Sequence, residues 1–241
     1  MPAAIAAAWR SSPGALCLVH GGGDEVTALQ RQLGIEPTFV HGRRVTSDAD
    51  VAIVRMALSG TINKRLVAQL TSQGVAAVGL SGEDAGLLEA ELLDARRFGR
   101  VGVPARVNAA LLQLLLDAGY LPVLSPLARE VSGAGAGNGA AVNVNGDDAA
   151  AAVAAALGAT ELLLVSDVPG VRVGPELLAS LDVDEAAAMI ASGAATGGMA
   201  AKLEAAMRAL SSGVSRVRIG DLDMLAERAR GTELTLSRSL V

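Results

Sequence analysis

The sequence predicts an α/β fold with parallel strands, and three observations carry that prediction. Residues 142–170 read as a strand–helix–strand unit: an alternating Val142-Asn143-Val144-Asn145, a break at Gly146, an alanine-rich helix from Ala149 to Leu157, and an apolar strand from Glu161 to Val165. Ala15–Val19 is a second apolar run, and it enters the turn His20-Gly21-Gly22-Gly23 just before a helix opens at Asp24. At 241 residues, 51% hydrophobic and 19% charged, the chain can bury the core of one large domain or two intimate lobes.

Taken in order, Pro2–Trp9 reads as a short helix, and the helix after Gly23 places Val26, Leu29 and Leu33 on one side. Ser47 or Asp48 caps the next helix, with Val51, Val54 and Leu58 at helical spacing. Gly60 to Lys64 punctuates it, and a second helix runs to Ser72. Val75–Leu80 is a strand, Leu87–Arg100 a hairpin, Val107–Ala118 a helix and Leu121–Leu124 a strand. Asp147 or Asp148 can cap the alanine-rich helix, and Gly158 ends it. A helix follows near Val183–Ser192, then one capped by Thr196 that carries Lys202 in its second turn. Val214–Ile219 is a strand, followed by a last helix and Gly231-Thr232.

Composition excludes several classes. A net charge of −5, with no basic cluster and no aromatic stacking set, argues against a nucleic-acid partner. No apolar run reaches the ~18 residues of a membrane span, and the alanine-rich start lacks the basic region and cleavage pattern of a signal peptide. Cys17 has no second cysteine to pair with, so a reducing cytoplasm is the expected setting and a buried apolar role the expected use. The glycine run from Gly133 to Gly139 precedes a strand instead of opening a helix, so it is read as a hairpin tip and not a dinucleotide fingerprint. Of 20 basic residues only Lys64 and Lys202 are lysine, which singles them out as compact point charges.

The polar groups gather where strands give way to helices, the edge where open α/β sheets bind ligands. Gly21, Gly22 and Gly23 present backbone N–H groups and a helix N-terminus to an anion. Arg43-Arg44 by itself reads as a solvated loop, whereas Lys202 lies near its own helix's positive end, which suits an anion between them. His20 reads as a structural residue beside the glycine turn and Arg43 as a surface residue.

Together, His20-Gly21-Gly22-Gly23, Gly42-Arg43-Arg44-Val45-Thr46, Asn143-Val144-Asn145-Gly146-Asp147, Ser166-Asp167-Val168-Pro169-Gly170 and Gly197-Gly198-Met199 with Lys202 resemble the amino acid kinase family. The resemblance runs from about Ala15 to Gly231-Thr232. It implies a three-layer αβα sandwich with a mainly parallel central sheet. It further implies an N-terminal lobe over 1–145, for an acyl-amino acid and for dimerisation, and an ATP-binding lobe over 146–241, sharing one sheet.

The reaction it implies moves the γ-phosphoryl of ATP, with Mg²⁺ held mainly by phosphate oxygens, onto the side-chain carboxylate of N-acetyl-L-glutamate, in arginine biosynthesis. Gly22 and Gly23 then hold substrate and phosphoryl group, Arg44 grips the α-carboxylate and Asn143 binds the substrate. Lys202 neutralises the phosphates, and Asp147 orients Lys202 and neighbouring donors. Asp167, Val168, Gly170, Val171, Arg172 and Thr196 line the nucleoside pocket, and Lys64 is structural. No protein metal ligand is assigned, and a homodimer is expected.

Two alternatives stay open: a kinase for carrier-linked aminoadipate or glutamate, which Ala118-Gly119-Tyr120-Leu121-Pro122-Val123 also resembles, and a weakly active or non-catalytic binding homologue. The family's first strand carries a Lys-x-Gly-Gly that does not appear in this sequence. A truncated start is the expectation, against a binding-only homologue or substitution by Lys64 or an arginine.

Overall fold

A computed structural model describes residues 1–40, 42–131 and 139–237, so His41 and the glycine run over 132–138 lie outside the described residues. The chain divides into two compact units, Pro2–Ala149 and Ala150–Val241, with Met1 assigned to the second. The architecture is α/β, with parallel ladders in both units.

In the unit Pro2–Ala149, three parallel strands run in the order Leu18–Val19, Leu121–Ser125, Ala77–Ser81. The first is shorter than the apolar run Ala15–Val19 suggests. Leu18 sits opposite Val123 and His20 N donates to Leu124 O at 3.0 Å. Continuing that ladder upstream would need an N–H on Pro122, which has none. Cys17 is therefore left before the strand, partly exposed by area, while burial of its sulfur pushes the thiol up to about 12. Beside this sheet a small closed barrel is formed by Leu88–Leu92, Val101–Val107, Ala141–Val144 and Leu127–Glu130. Its apolar interior includes Leu88, Ala90, Ala128, Val142 and Val144.

Helix Gly23–Gln32 buries Val26 and packs Leu29 against the core, but Leu33, its C-cap, is exposed. Helix Asp48–Arg55 begins at a capping box in which Ser47 and Asp50 satisfy each other's backbone N–H groups. The expected break at Gly60 does not occur. The chain stays helical through a π-helical stretch, Met56–Ile62, into helix Asn63–Thr71. The wider turns keep Ala57, Leu58 and Ile62 together on the buried side, against Val26, Val54 and Leu127. Gly60 is exposed, so the missing side chain costs no packing there.

In the unit Ala150–Val241, four strands run in the order Glu161–Val165, Arg216–Gly220, Thr232–Thr235, Ser180–Asp182. The outer pairs are parallel and the central pair antiparallel. Helix Gly197–Ser211 packs Leu203, Ala206 and Leu210 into a core with Leu164, Val217 and Ile219. The last predicted helix is instead a 3₁₀ turn, Leu222–Leu225. The carbonyls of Met224, Glu227 and Arg230 accept from the buried Arg218 guanidinium, which competes with continuing the helix. Among the described residues no helix is long and apolar enough to cross a membrane.

Two glycines test this packing in opposite directions. A Cβ on Gly82 would lie 2.0 Å from Leu127 O and 2.8 Å from Leu88 Cβ, whereas one on Gly60 meets nothing within 4 Å. Gly82→Ala should destabilise the protein by about 1–3 kcal/mol. Gly60→Ala should stabilise it by about 0.5–1 kcal/mol. Urea unfolding of both variants checks the pair.

Candidate functional site

The glycine turn is built by contact as well as by conformation. Gly22 is the N-cap of helix Gly23–Gln32, and a Cβ there would lie 2.2 Å from Ile62 Cδ1 and 2.9 Å from Leu58 Cδ2. Because the cap residue has no side chain, no side-chain cap bond covers the first N–H groups of the helix. A second helix N-terminus approaches the same turn: a Cβ on Gly146 would lie 3.8 Å from Gly21 Cα and 3.9 Å from His20 O. That helix, Gly146–Ala156, is capped by Asn145, not by either aspartate. Asn145 Oδ1 accepts from the backbone N–H of Asp147 at 2.8 Å and of Asp148 at 3.2 Å. Two positive helix ends therefore meet at His20–Gly23.

His20 fixes the turn from behind. Its Nδ1 lies 2.9 Å from Gly21 O and its Nε2 lies 3.1 Å from the Nδ2 of the fully buried Asn63, which also donates to Val123 O at 2.9 Å. One ring nitrogen donating and the other accepting is the hydrogen bonding of a neutral imidazole. Burial lowers the pKa of His20 from its ordinary value, against the backbone bond to Gly21 and the charge of Glu25. The structural reading of His20 fits this geometry, and Lys64 donates to Gly79 O at 2.8 Å.

The two adjacent arginines lie on strand Arg43–Arg44, which pairs with strand Phe39–Val40. Arg44 is buried. It donates to Gly23 O at 2.8 Å, to Thr27 Oγ1 at 2.7 Å and to Gln30 Oε1, and its guanidinium lies 4.7 Å from the centroid of the Phe39 ring. These bonds use three of its five N–H donors. Burial lowers its pKa, with Asp50 and Asp24 opposing, though an arginine so placed stays charged. Arg43, expected on the surface, is not there. Its Nη1 pairs with Asp148 Oδ2 at 2.8 Å, with side-chain exposures of 14% and 2%. Asn143 Nδ2 donates to Thr46 Oγ1 at 3.0 Å, so the strand before the second helix is tied to the same hairpin.

Gly22, Gly23, Arg44, Asn143 and Asp147 all belong to the unit Pro2–Ala149, and its geometry brings them around one corner. Sequence reasoning put Arg43 on the surface, offered Asp148 only as a helix cap and gave Asn63 no role. For Arg43 the available signal was the strand period, which turns neighbouring side chains to opposite faces.

The other candidates form a second group, within Ala150–Val241. Asp167 is exposed and Val168 half-buried in the loop after strand Glu161–Val165. A Cβ on Gly170 would lie 2.6 Å from Thr232 Oγ1 and 3.1 Å from Thr232 N. The buried Thr232 accepts from Val171 N at 2.8 Å and donates to Leu178 O at 2.6 Å, pinning the loop onto the sheet. Arg172 is exposed on the adjoining hairpin. Thr196 is the N-cap of helix Gly197–Ser211 but makes no side-chain cap bond. Lys202 is half-buried in the second turn of that helix. This unit thus offers a helix N-terminus with a lysine in the second turn of the same helix.

The sequence profile of the amino acid kinase family matches residues 3–221. The chain is 46% identical to the acetylglutamate kinase of Methanopyrus kandleri over 233 residues, covering 89% of each chain. It is 44% identical to that of Chloroflexus aurantiacus, covering 90% of this chain and 85% of the relative. Among solved structures, smu.665 from Streptococcus mutans superposes with a TM-score of 0.83 at 30% identity, covering 94% of this chain and 88% of that one. A carbamate kinase from Giardia lamblia shares the fold, with a TM-score of 0.67 at 14% identity, covering 98% of this chain and 89% of that one.

The geometry generates two expectations. Burial lowers the pKa of His20 in the folded chain, whereas in the unfolded chain it titrates near its ordinary value of about 6.5. The stability it contributes is complete above that pH and is lost as the pH falls through the lowered folded-state value. Thermal unfolding from pH 8 to pH 5 should show this loss, and His20→Gln should flatten it. Gly170→Ala should destabilise the protein by about 1–3 kcal/mol in urea unfolding, because Thr232 N cannot retreat without breaking its strand.

Proposed function

Because the chain belongs to the amino acid kinase family, we propose that it transfers the γ-phosphoryl group of ATP to the side-chain carboxylate of N-acetyl-L-glutamate, giving an acyl phosphate. The observation that carries this reading is the 46% identity to an acetylglutamate kinase across 89% of both chains. The grouping of Gly22, Gly23, Arg44, Asn143 and Asp147 in one unit supports it. So does the grouping of Thr196, Lys202 and the Gly170 loop in the other.

The chemistry needs no general base. A side-chain carboxylate has a pKa of about 4.3, so the nucleophile is already ionised at neutral pH. The difficulty is bringing it to a polyanion, and the answer is fixed positive potential. The backbone N–H groups at Gly22 and Gly23 receive the transferring group and the substrate. Arg44 and Asn143 hold the amino acid, and Asp147 organises donors at the start of its helix. Lys202 neutralises charge on the phosphoryl and on the leaving ADP, with Thr196 and residues 167–172 around the nucleoside.

Among the described residues no group of three or more His, Cys, Asp or Glu side chains could hold a metal ion. Mg²⁺ would accompany ATP on its phosphate oxygens, where it would neutralise part of their charge. Arginine biosynthesis, a cytoplasmic setting and a homodimer complete the proposal.

Incubating the protein with ATP, Mg²⁺, N-acetyl-L-glutamate and hydroxylamine should yield the acyl hydroxamate, and no hydroxamate at any substrate concentration would overturn the reading. Lys202→Met should lower kcat by about 10²-fold or more. An unchanged kcat would remove Lys202 from the mechanism.

A further inference from the structure

We propose that the Arg43–Asp148 ion pair is a positioning clamp for the acyl-amino acid, setting the corner on which Arg44, Asn143 and Asp147 stand. The inference rests on the reading of that corner as the substrate site.

The pair joins segments 105 residues apart in sequence. Asp148 lies in the first turn of helix Gly146–Ala156, immediately after Asp147, with its side chain 2% exposed. A carboxylate so covered is costly to charge unless a cation meets it, and removing one partner strands the other. The positive end of its own helix supplies part of the compensation. Arg43, on the hairpin that also carries Arg44, brings a cation to that carboxylate.

Successive residues of a strand point to opposite sides. Arg43 therefore turns to Asp148 while Arg44 turns to Gly23 O, Thr27 and Gln30. Two residues further on, Thr46 Oγ1 accepts from Asn143 Nδ2 at 3.0 Å and donates to Arg44 O at 3.1 Å. The hairpin is thus held at three places, by the glycine-turn helix, by the strand carrying Asn143 and by the helix start carrying Asp147. Of these, the Arg43–Asp148 contact is the one made by residues given no role in binding. Its loss would free the helix start from the hairpin while leaving every proposed substrate contact chemically intact.

The test uses the full chain and the variants Asp148→Asn, Arg43→Met, Arg43→Lys and the double variant Arg43→Met/Asp148→Asn. Asp148→Asn and Arg43→Met should each raise the KM for N-acetyl-L-glutamate about tenfold, with the KM for ATP within about twofold of wild type. Arg43→Lys, which keeps a charge at the same reach, should recover most of the loss. The double variant should be no worse than either single one, since both remove one interaction. The clamp is overturned if both KM values rise together, if neither moves, or if the single effects multiply.

A wild-type chain that forms no hydroxamate would defeat the reading of function and not the clamp. Amide hydrogen exchange without substrate then decides. Val45 and Asp147 should exchange about tenfold faster in Asp148→Asn than in wild type, with helix Asn63–Thr71 unchanged. Equal exchange at Val45 and Asp147 overturns the clamp. Thermal unfolding identifies any variant that has not folded, and the conservative Arg43→Lys keeps the kinetic comparison available in that case.

Discussion

Neighbouring residues of an extended strand must face opposite ways, and the unit Pro2–Ala149 is arranged around that constraint at Arg43-Arg44. One guanidinium is delivered to the glycine-turn helix and the other to the start of helix Gly146–Ala156. A two-residue strand thereby ties together segments that are far apart in sequence. Charge makes the arrangement strict: Arg44 and Asp148 are both buried, so each has to find its partner in one geometry. The turn at His20–Gly23 then needs little of its own. It is closed from behind by Asn63 and packed from below by Leu58 and Ile62, which leave no room for a side chain on Gly22.

The groups that the unit Pro2–Ala149 gathers at its glycine turn are chiefly backbone amides, two helix N-termini and the buried Arg44 guanidinium. Such a site can hold two anions together because its positive potential is fixed before they arrive. The histidine nearest the turn has its pKa lowered by burial and both ring nitrogens engaged within the protein, so it serves the shape of the turn.

Much of this was legible in the sequence. The strand-to-helix junctions at Gly21–Gly23 and Gly146 were marked by their glycines, and the start of helix Gly197–Ser211 by Thr196-Gly197-Gly198. The misses share a cause: each was decided by a partner distant in the chain. Arg43 reads as a surface residue until Asp148 arrives from 105 residues away. Gly60 reads as a break until packing against Val26 and Leu127 holds the helix through a π turn. The short strand Leu18–Val19 depends on Pro122 in its neighbour, and the 3₁₀ turn Leu222–Leu225 on the carbonyl cage around Arg218. Asn145 was passed over as a cap because its alternation placed it in the preceding strand.

Paired strands Phe39–Val40 and Arg43–Arg44, with Thr46, tie the glycine turn to the start of helix Gly146–Ala156. A double-mutant cycle between Gln30→Ala, on the Arg44 side, and Asp148→Asn, on the Arg43 side, tests it most directly, read as the KM for N-acetyl-L-glutamate. The two residues bond to different arginines, so direct interaction does not link them. The account predicts a coupling of at least about 0.5 kcal/mol, transmitted through the hairpin. Effects that simply add would contradict it.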